Sequence, residues 1–229
     1  MFFLLSLSTK TRQDSIMQLT ASYYIYLFLL TANCILYGSS AIYTHKKEFN
    51  LLFRYLIAMV VVEISSNLVA RIYENNLFLS HIYYFLHGLF LISFMFKTTL
   101  NLSQKRIIKH AFILILTIEV IQYLLFPTLF LGFNPLEVIL VNYLLILCTL
   151  FHFYNTLGTR HELNYISIGI LIYSIIDLSI LTFGNLIAKT RYETSWIVWL
   201  IREFSILAFY TLFLLQWIKL TKTKVNLSE

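Results

Sequence analysis

The sequence predicts an all-helical integral membrane protein that crosses a lipid bilayer seven times. Of its 229 residues, 59% are hydrophobic and only 12% are charged, which is about half the charged fraction of a soluble domain. The apolar residues form continuous runs of about 20, the length at which a helix spans the hydrocarbon core. Backbone polar groups in lipid need partners within the chain, so such runs fold as helices, whereas barrel strands would alternate apolar and polar residues.

Each predicted span is an apolar run bounded by polar connections. The connections are too short to hold a soluble domain, for example THKKEFN after the first span, NLSQKRIIK after the third and GTRHEL after the fifth. Two prolines mark the turn between the fourth and fifth spans, Pro127 and Pro135. In order, the spans cover residues 21–43, 51–72, 81–100, 110–131, 136–157, 164–187 and 195–218.

The two ends of the chain are expected to lie outside the helical bundle. Residues 1–8 (MFFLLSLS) are apolar but too short to span, and they lack the basic region of a signal peptide. We therefore expect residues 1–20 to form a loosely ordered or interfacial extension, with Met17 as a second candidate start. Residues 219–229 form a short polar tail.

Basic residues predict the orientation of the chain. Of 17 Lys and Arg, eleven lie on one side of the predicted bundle, five lie on the other, and Arg202 lies inside the last span. The positive-inside rule then places the N-terminus outside and the C-terminus in the cytoplasm of a cell (inner or plasma) membrane. The net charge of +6 is interpreted as contact with anionic lipid headgroups, and nucleic-acid binding is not expected.

A weak internal repeat appears when the chain is shifted by 114 residues. The shift aligns Cys34 with Cys148 and Glu63 with Asp177, and it needs no gap across two helices and their connection. Helices 1–3 would then correspond to helices 5–7, with helix 4 as the connector, which is a parallel 3+1+3 arrangement. Alternatively, the two units look alike only because both obey the positive-inside rule.

Ionisable residues within spans are the candidate functional groups, because a charge at membrane depth is costly unless it is used or paired. Counting inward at 1.5 Å per residue, they fall roughly 7–18 Å below the predicted outer boundary, in one layer of the bundle. The candidate ion- or ligand-binding residues are Glu63, Asn67, His87, Glu119, Asn142, Asp177, Arg202 and Glu203.

Arg202 is the certain cation of this layer and needs an acidic partner. Its neighbour Glu203 does not face it squarely on a helix, so the expected partner is Asp177 or Glu63. The alternative for the whole layer is structural, with polar side chains holding helices together through hydrogen bonds. Tyrosines near the predicted span ends, such as Tyr26 and Tyr84, are interpreted as an interfacial aromatic belt.

No catalytic or metal motif accompanies these residues. HExxH, CxxC, GxSxG and P-loop patterns do not occur. The two cysteines, Cys34 and Cys148, lie in apolar segments without disulfide or ligand spacing. We therefore expect no metal and no cofactor, and an enzyme is the less favoured class.

Four functions stay open. The first is a sensory or receptor-like protein that binds a small ion or polar molecule in the outer half of the bundle and signals through a cytoplasmic protein partner. The second is a proton- or cation-coupled transporter that uses Glu63 and Asp177. The third is an intramembrane enzyme that modifies lipid, and the fourth is a structural membrane subunit.

Overall fold

The described part of the chain folds into seven long helices. The computed structural model describes residues 9–44, 47–72, 76–98, 100–157, 163–182 and 192–225, and within these ranges it contains no strand. The helices are α1 (Thr9–Thr44), α2 (Lys47–Ile72), α3 (Phe78–Thr98), α4 (Leu102–Leu125), α5 (Pro135–Asn155), α6 (Asn164–Thr182) and α7 (Tyr192–Val225). Each holds a segment long and apolar enough to cross a membrane. The chain is therefore a multi-pass membrane protein.

Several helices extend beyond the predicted spans. α1 begins at Thr9, so the part of the predicted 1–20 extension that the structure describes is helical. α7 covers more than the predicted 195–218, and α6 is described as far as Thr182, so the last part of its predicted span, 183–187, cannot be compared. Residues 1–8, 183–191 and 226–229 lie outside the described residues.

The prediction for the fourth helix was wrong by about two turns at its start. Asn101 caps this helix, and its side chain accepts a hydrogen bond from the backbone N–H of Gln104 while the Gln104 side chain accepts one from Asn101. Such a capping box satisfies two backbone donors that would otherwise have no partner. The helix ends at Leu125 because Pro127 starts a separate 3₁₀ turn, Pro127–Leu131.

Six of the helices pack as a closed ring. Following the contacts in order, α1 packs on α2, α2 on α3, α3 on α5, α5 on α6, α6 on α7, and α7 returns to α1. α4 lies outside this ring and packs mainly on α5, with the 3₁₀ turn beside it.

The outer surface of the ring is apolar, and polar side chains are buried inside it. On α1, Phe28, Ile35 and Ile42 are spaced seven residues apart and each is about 70% exposed, which places one apolar stripe on the outer surface. Asn33 and His87, in contrast, are fully buried. A soluble protein shows the reverse pattern, and this distribution supports a lipid environment around the ring.

Hydrogen bonds close the ring between α1 and α7. The Asn33 amide donates to the carbonyl oxygen of Tyr210 at 2.9 Å, and the Tyr37 hydroxyl donates to that of Phe213 at 3.0 Å. Nearer the predicted cytoplasmic end, Trp217 donates to the Ser40 hydroxyl at 2.7 Å. Each side chain thus reaches a partner more than 170 residues away in sequence, which fixes the register of the first and last helices.

Apolar side chains pack in one continuous core inside the ring. Its fully buried members include Leu56, Met59, Leu91, Leu145 and Phe213. Polar side chains are buried in the same half of the helices, among them Thr149, His152, Ser167 and Gln216.

Candidate functional site

Three side chains from three helices surround one buried carboxylate of a fourth helix. Asp177 on α6 is fully buried, and its Oδ1 accepts a hydrogen bond from Nε of Arg202 on α7 at 2.9 Å. Its Oδ2 accepts from the hydroxyl of Tyr84 on α3 and from the amide of Asn142 on α5, both at 3.1 Å. We call these residues the Asp177 cluster. The predicted pairing of Arg202 with Asp177 is confirmed.

Close packing of α3 on α5 brings Tyr84 and Asn142 to the same carboxylate. Gly88 lies one turn after Tyr84, and a Cβ atom built at Gly88 would approach Cγ1 of Val141 to 2.9 Å. A glycine at this position therefore lets the two backbones come closer than any other residue would allow. Val141 directly precedes Asn142, so the contact sets the position of the amide.

His87 lies next to the Asp177 cluster, within an aromatic group. Its Nδ1 is 3.1 Å from the hydroxyl of Tyr55 on α2, and its ring stacks on Tyr83 at 5.5 Å between centroids. Tyr173 and Phe209 contact the same ring from α6 and α7. Its Nε2 is buried and has no hydrogen-bond partner in the described part of the chain. That nitrogen can donate or accept one further hydrogen bond.

Glu63 on α2 carries the second carboxylate of the ring interior. Its Oε2 accepts a hydrogen bond from the hydroxyl of Tyr26 on α1 at 3.2 Å, and its Oε1 accepts one from Asn67 at 3.3 Å. Asn67 also donates to the hydroxyl of Tyr23. We call these four residues the Glu63 cluster. Its hydrogen-bond donors are neutral, and within the described ranges Glu63 forms no ion pair.

The two clusters belong to one interior region. Tyr210 on α7 packs on Tyr26 of the Glu63 cluster at 5.5 Å between ring centroids and on Phe209 at 5.1 Å. Phe209 packs on Tyr173 at 5.2 Å, and the Tyr173 hydroxyl is 3.2 Å from that of Tyr83, which packs on Tyr84 of the Asp177 cluster. A chain of aromatic rings therefore connects the two clusters.

A third polar group lies at the predicted outer end, between α3, α4 and α5. Nδ1 of His81 is 2.6 Å from Oε2 of Glu137, and the Tyr123 hydroxyl is 3.0 Å from the same oxygen. Asn134 donates to Tyr123 at 3.0 Å, and the ring of Phe130 stacks on His81. We call His81, Tyr123, Asn134 and Glu137 the His81 cluster. It joins α4 and the 3₁₀ turn to the ring.

The structure brings some of the predicted site residues into contact and separates others. Asn142, Asp177 and Arg202 meet directly, Glu63 and Asn67 form a second group, and His87 lies in the aromatic group with Tyr83 and Tyr173. Glu119 is separate: it lies on α4 outside the ring and interacts with Glu137. Glu203 is half-buried, and none of the described hydrogen bonds joins it to these clusters.

The tyrosines are the main residues that sequence reasoning placed wrongly. Tyr84, assigned to an interfacial belt, is only 3% exposed and binds Asp177. The signal was present in the sequence: Tyr84, His87, Leu91 and Met95 recur at spacings of three and four, which places them on one helical face, and all four are buried. Tyr26, also assigned to the belt, binds Glu63.

Glu137 was not among the predicted site residues. It lies in the first turn of α5, after Asn134 and Pro135, where an acidic residue is ordinarily explained by the positive helix N-terminus. Its contact with His81 joins residues 56 positions apart, and no local pattern reveals such a pair.

Among the described residues, no group of three or more His, Cys, Asp or Glu side chains could hold a metal ion. The cysteines Cys34 and Cys148 are free thiols. The polar chemistry of the ring interior is therefore that of carboxylates, a guanidinium, amides, an imidazole and phenols.

Comparison of the chain with protein-family models, with curated proteins and with solved structures gives no match.

Proposed function

We propose that the protein binds a small ion or polar molecule within the ring, in the region of the Asp177 and Glu63 clusters, and that it works as a membrane sensor or receptor. The observation that carries this proposal is the convergence of Asp177, Arg202, Asn142 and Tyr84 from four helices on one point. A ligand at this point would contact α3, α5, α6 and α7. The other two helices of the ring, α1 and α2, carry the Glu63 cluster.

The polar groups exceed what helix association needs. A buried ion pair is weak evidence for stability, because desolvation of the two charges offsets their attraction. Here the pair is accompanied by a second carboxylate and by buried atoms without partners among the described residues, including Asn142 Oδ1, His87 Nε2 and Ser174 Oγ. Unsatisfied polar atoms inside a membrane protein typically mark water or ligand contacts.

A scarcity of glycine and proline favours a sensor over a carrier. The chain has 6 Gly and 2 Pro, whereas alternating-access carriers commonly use broken or hinged helices. We propose that the polar region opens to the outside, that the C-terminus lies in the cytoplasm of the cell membrane, and that a cytoplasmic protein partner reads the bound state. Charge distribution supports this orientation.

A cation-coupled transporter is the second candidate, and one observation favours it. The ring contacts keep their pattern when α1, α2 and α3 are exchanged for α5, α6 and α7, since α1 packs on α7 where α5 packs on α3. That pattern fits the proposed 3+1+3 repeat, and Glu63 and Asp177 would then be equivalent carboxylates of two related units.

Ligand-induced stabilisation of the purified protein tests the proposal. We would measure thermal unfolding in nanodiscs with NaCl, KCl, tetramethylammonium chloride, sodium phosphate, glycine and glucose, for the wild type, for Glu63→Gln and for the double variant Asp177→Asn/Arg202→Gln. The double variant removes the ion pair without leaving one unpaired charge. A saturable increase of the unfolding temperature that the double variant or Glu63→Gln lacks supports binding at this site. No saturable increase with any of these probes, or an equal one in both the double variant and Glu63→Gln, contradicts it.

Measuring whether the ligand crosses the membrane distinguishes a sensor from a transporter. The same ligand should bind to sealed proteoliposomes without crossing the membrane if the protein is a sensor. Accumulation of the ligand driven by an imposed pH or Na⁺ gradient would show that it is a transporter.

A further inference from the structure

We propose that the ligand is an alkylammonium cation, held by the Glu63 carboxylate and by the faces of the surrounding tyrosine rings. This inference rests on the proposed function and names the chemical class of its ligand.

The two carboxylates of the ring interior differ in their partners. Asp177 is neutralised by Arg202 at 2.9 Å. Glu63 has only phenol and amide donors, from Tyr26 and Asn67. A lone carboxylate at membrane depth is costly, and a ligand that brings one positive charge offsets that cost.

Aromatic rings dominate the surroundings of this carboxylate. Tyr23 and Tyr26 approach from α1, with ring centroids 6.1 Å apart, and Tyr210 packs on Tyr26 at 5.5 Å. A tetrahedral ammonium group gains cation–π attraction from each ring face within about 6 Å, and more where water is excluded.

Inorganic cations fit this set of side chains less well. Calcium takes roughly 6–8 oxygen ligands, mostly from carboxylates and carbonyls, and Glu63 brings one carboxylate. The described part of the chain holds no metal-binding group of His, Cys, Asp and Glu. The N–H groups or methyl groups of an alkylammonium, in contrast, match a single carboxylate surrounded by rings.

Binding of tetramethylammonium to the protein in nanodiscs tests this inference. It should bind saturably, and neither Na⁺ nor tert-butanol, which has a similar shape without the charge, should do so at the same concentration. Glu63→Gln should weaken tetramethylammonium binding about tenfold or more, and Tyr210→Leu should also weaken it. Tyr143→Leu is the matched control, because Tyr143 is 66% exposed on the outer surface, and it should bind as the wild type does.

Three results would overturn the inference. They are equal binding of tert-butanol, equal binding of Na⁺, and unchanged tetramethylammonium binding by Glu63→Gln. The first two use the wild type alone, so the test does not depend on the folding of a variant. If another probe binds in a manner that needs Asp177 and Arg202 while tetramethylammonium does not bind, the ligand class is wrong and the proposed function stands. If nothing binds, both fail.

Discussion

Nε of Arg202 on α7 lies 2.9 Å from Oδ1 of Asp177 on α6, and Asp177 is fully buried. The other carboxylate oxygen binds Tyr84 and Asn142. One carboxylate thus connects α3, α5, α6 and α7. Each charge compensates the other. Removal of either partner alone should therefore lower the free energy of unfolding more than removal of both.

This relationship predicts the outcome of a double-mutant cycle. Asp177→Asn alone should lower the free energy of unfolding by about 3 kcal/mol, because it leaves a guanidinium uncompensated inside the ring. Asp177→Asn/Arg202→Gln should recover a large part of that loss. Equilibrium unfolding in mixed micelles gives the coupling energy, and additive effects of the two substitutions would contradict the ion pair.

The His81 cluster predicts a difference between two neighbouring acids. Glu137→Gln should lower the free energy of unfolding by about 2 kcal/mol, because it weakens charge-assisted hydrogen bonds to His81 and Tyr123. Glu119→Gln should leave stability unchanged or raise it, since Oε1 of Glu119 is buried without a partner among the described residues. Thermal unfolding of the two variants side by side checks this, and equal losses would be inconsistent with the structure.

Two glycines should respond differently to alanine. Gly88→Ala should lower the free energy of unfolding by about 1–3 kcal/mol, because its Cβ would lie 2.9 Å from Val141 and would separate α3 from α5. Gly169→Ala, whose nearest contacts are at 3.4 Å on Leu212 and Phe209, is the control and should change stability little. A weaker effect at Gly88 than at Gly169 would disprove the close approach.

Closure of the ring between α1 and α7 can be tested with a single hydroxyl. Tyr37→Phe removes the hydrogen bond to the carbonyl oxygen of Phe213 and should cost about 1 kcal/mol of unfolding free energy. Tyr143→Phe makes the same chemical change on the exposed surface and should have no effect. The pair is compared by thermal unfolding, and equal stability of both variants would argue against this contact.

Composition and run length predict the seven apolar helices because the membrane imposes helix length directly. Fine boundaries follow from local chemistry that run length ignores. The fourth helix shows this, since the reciprocal hydrogen bonds of Asn101 and Gln104 start it within a basic segment that reads as a loop. The basic residues of that segment therefore lie in the first turns of the fourth helix.

A contact of the site was predictable from the sequence only where a charged side chain inside the bundle needs a partner of opposite charge. Arg202 requires a carboxylate inside the bundle, and that requirement limited the partner to Asp177 or Glu63, of which the structure shows Asp177. The hydroxyl of Tyr84 has no such requirement, because a tyrosine serves equally at an interface or in an interior. Contacts between distant helices, such as His81 with Glu137, depend on which faces meet when the ring closes, and neighbouring residues in sequence do not encode that choice.

The position of α4 outside the ring has a consequence for chain direction. Three consecutive crossings leave a polypeptide on the opposite side of the bilayer from its start, so α5 can run in the same direction as α1 only if the chain crosses once more between them. α4 makes that return crossing. The contribution of α4 is therefore to set the direction of the later helices. Without it, α5, α6 and α7 would cross the bilayer in the opposite direction, and Asp177 would lie at the wrong depth to contact Tyr84.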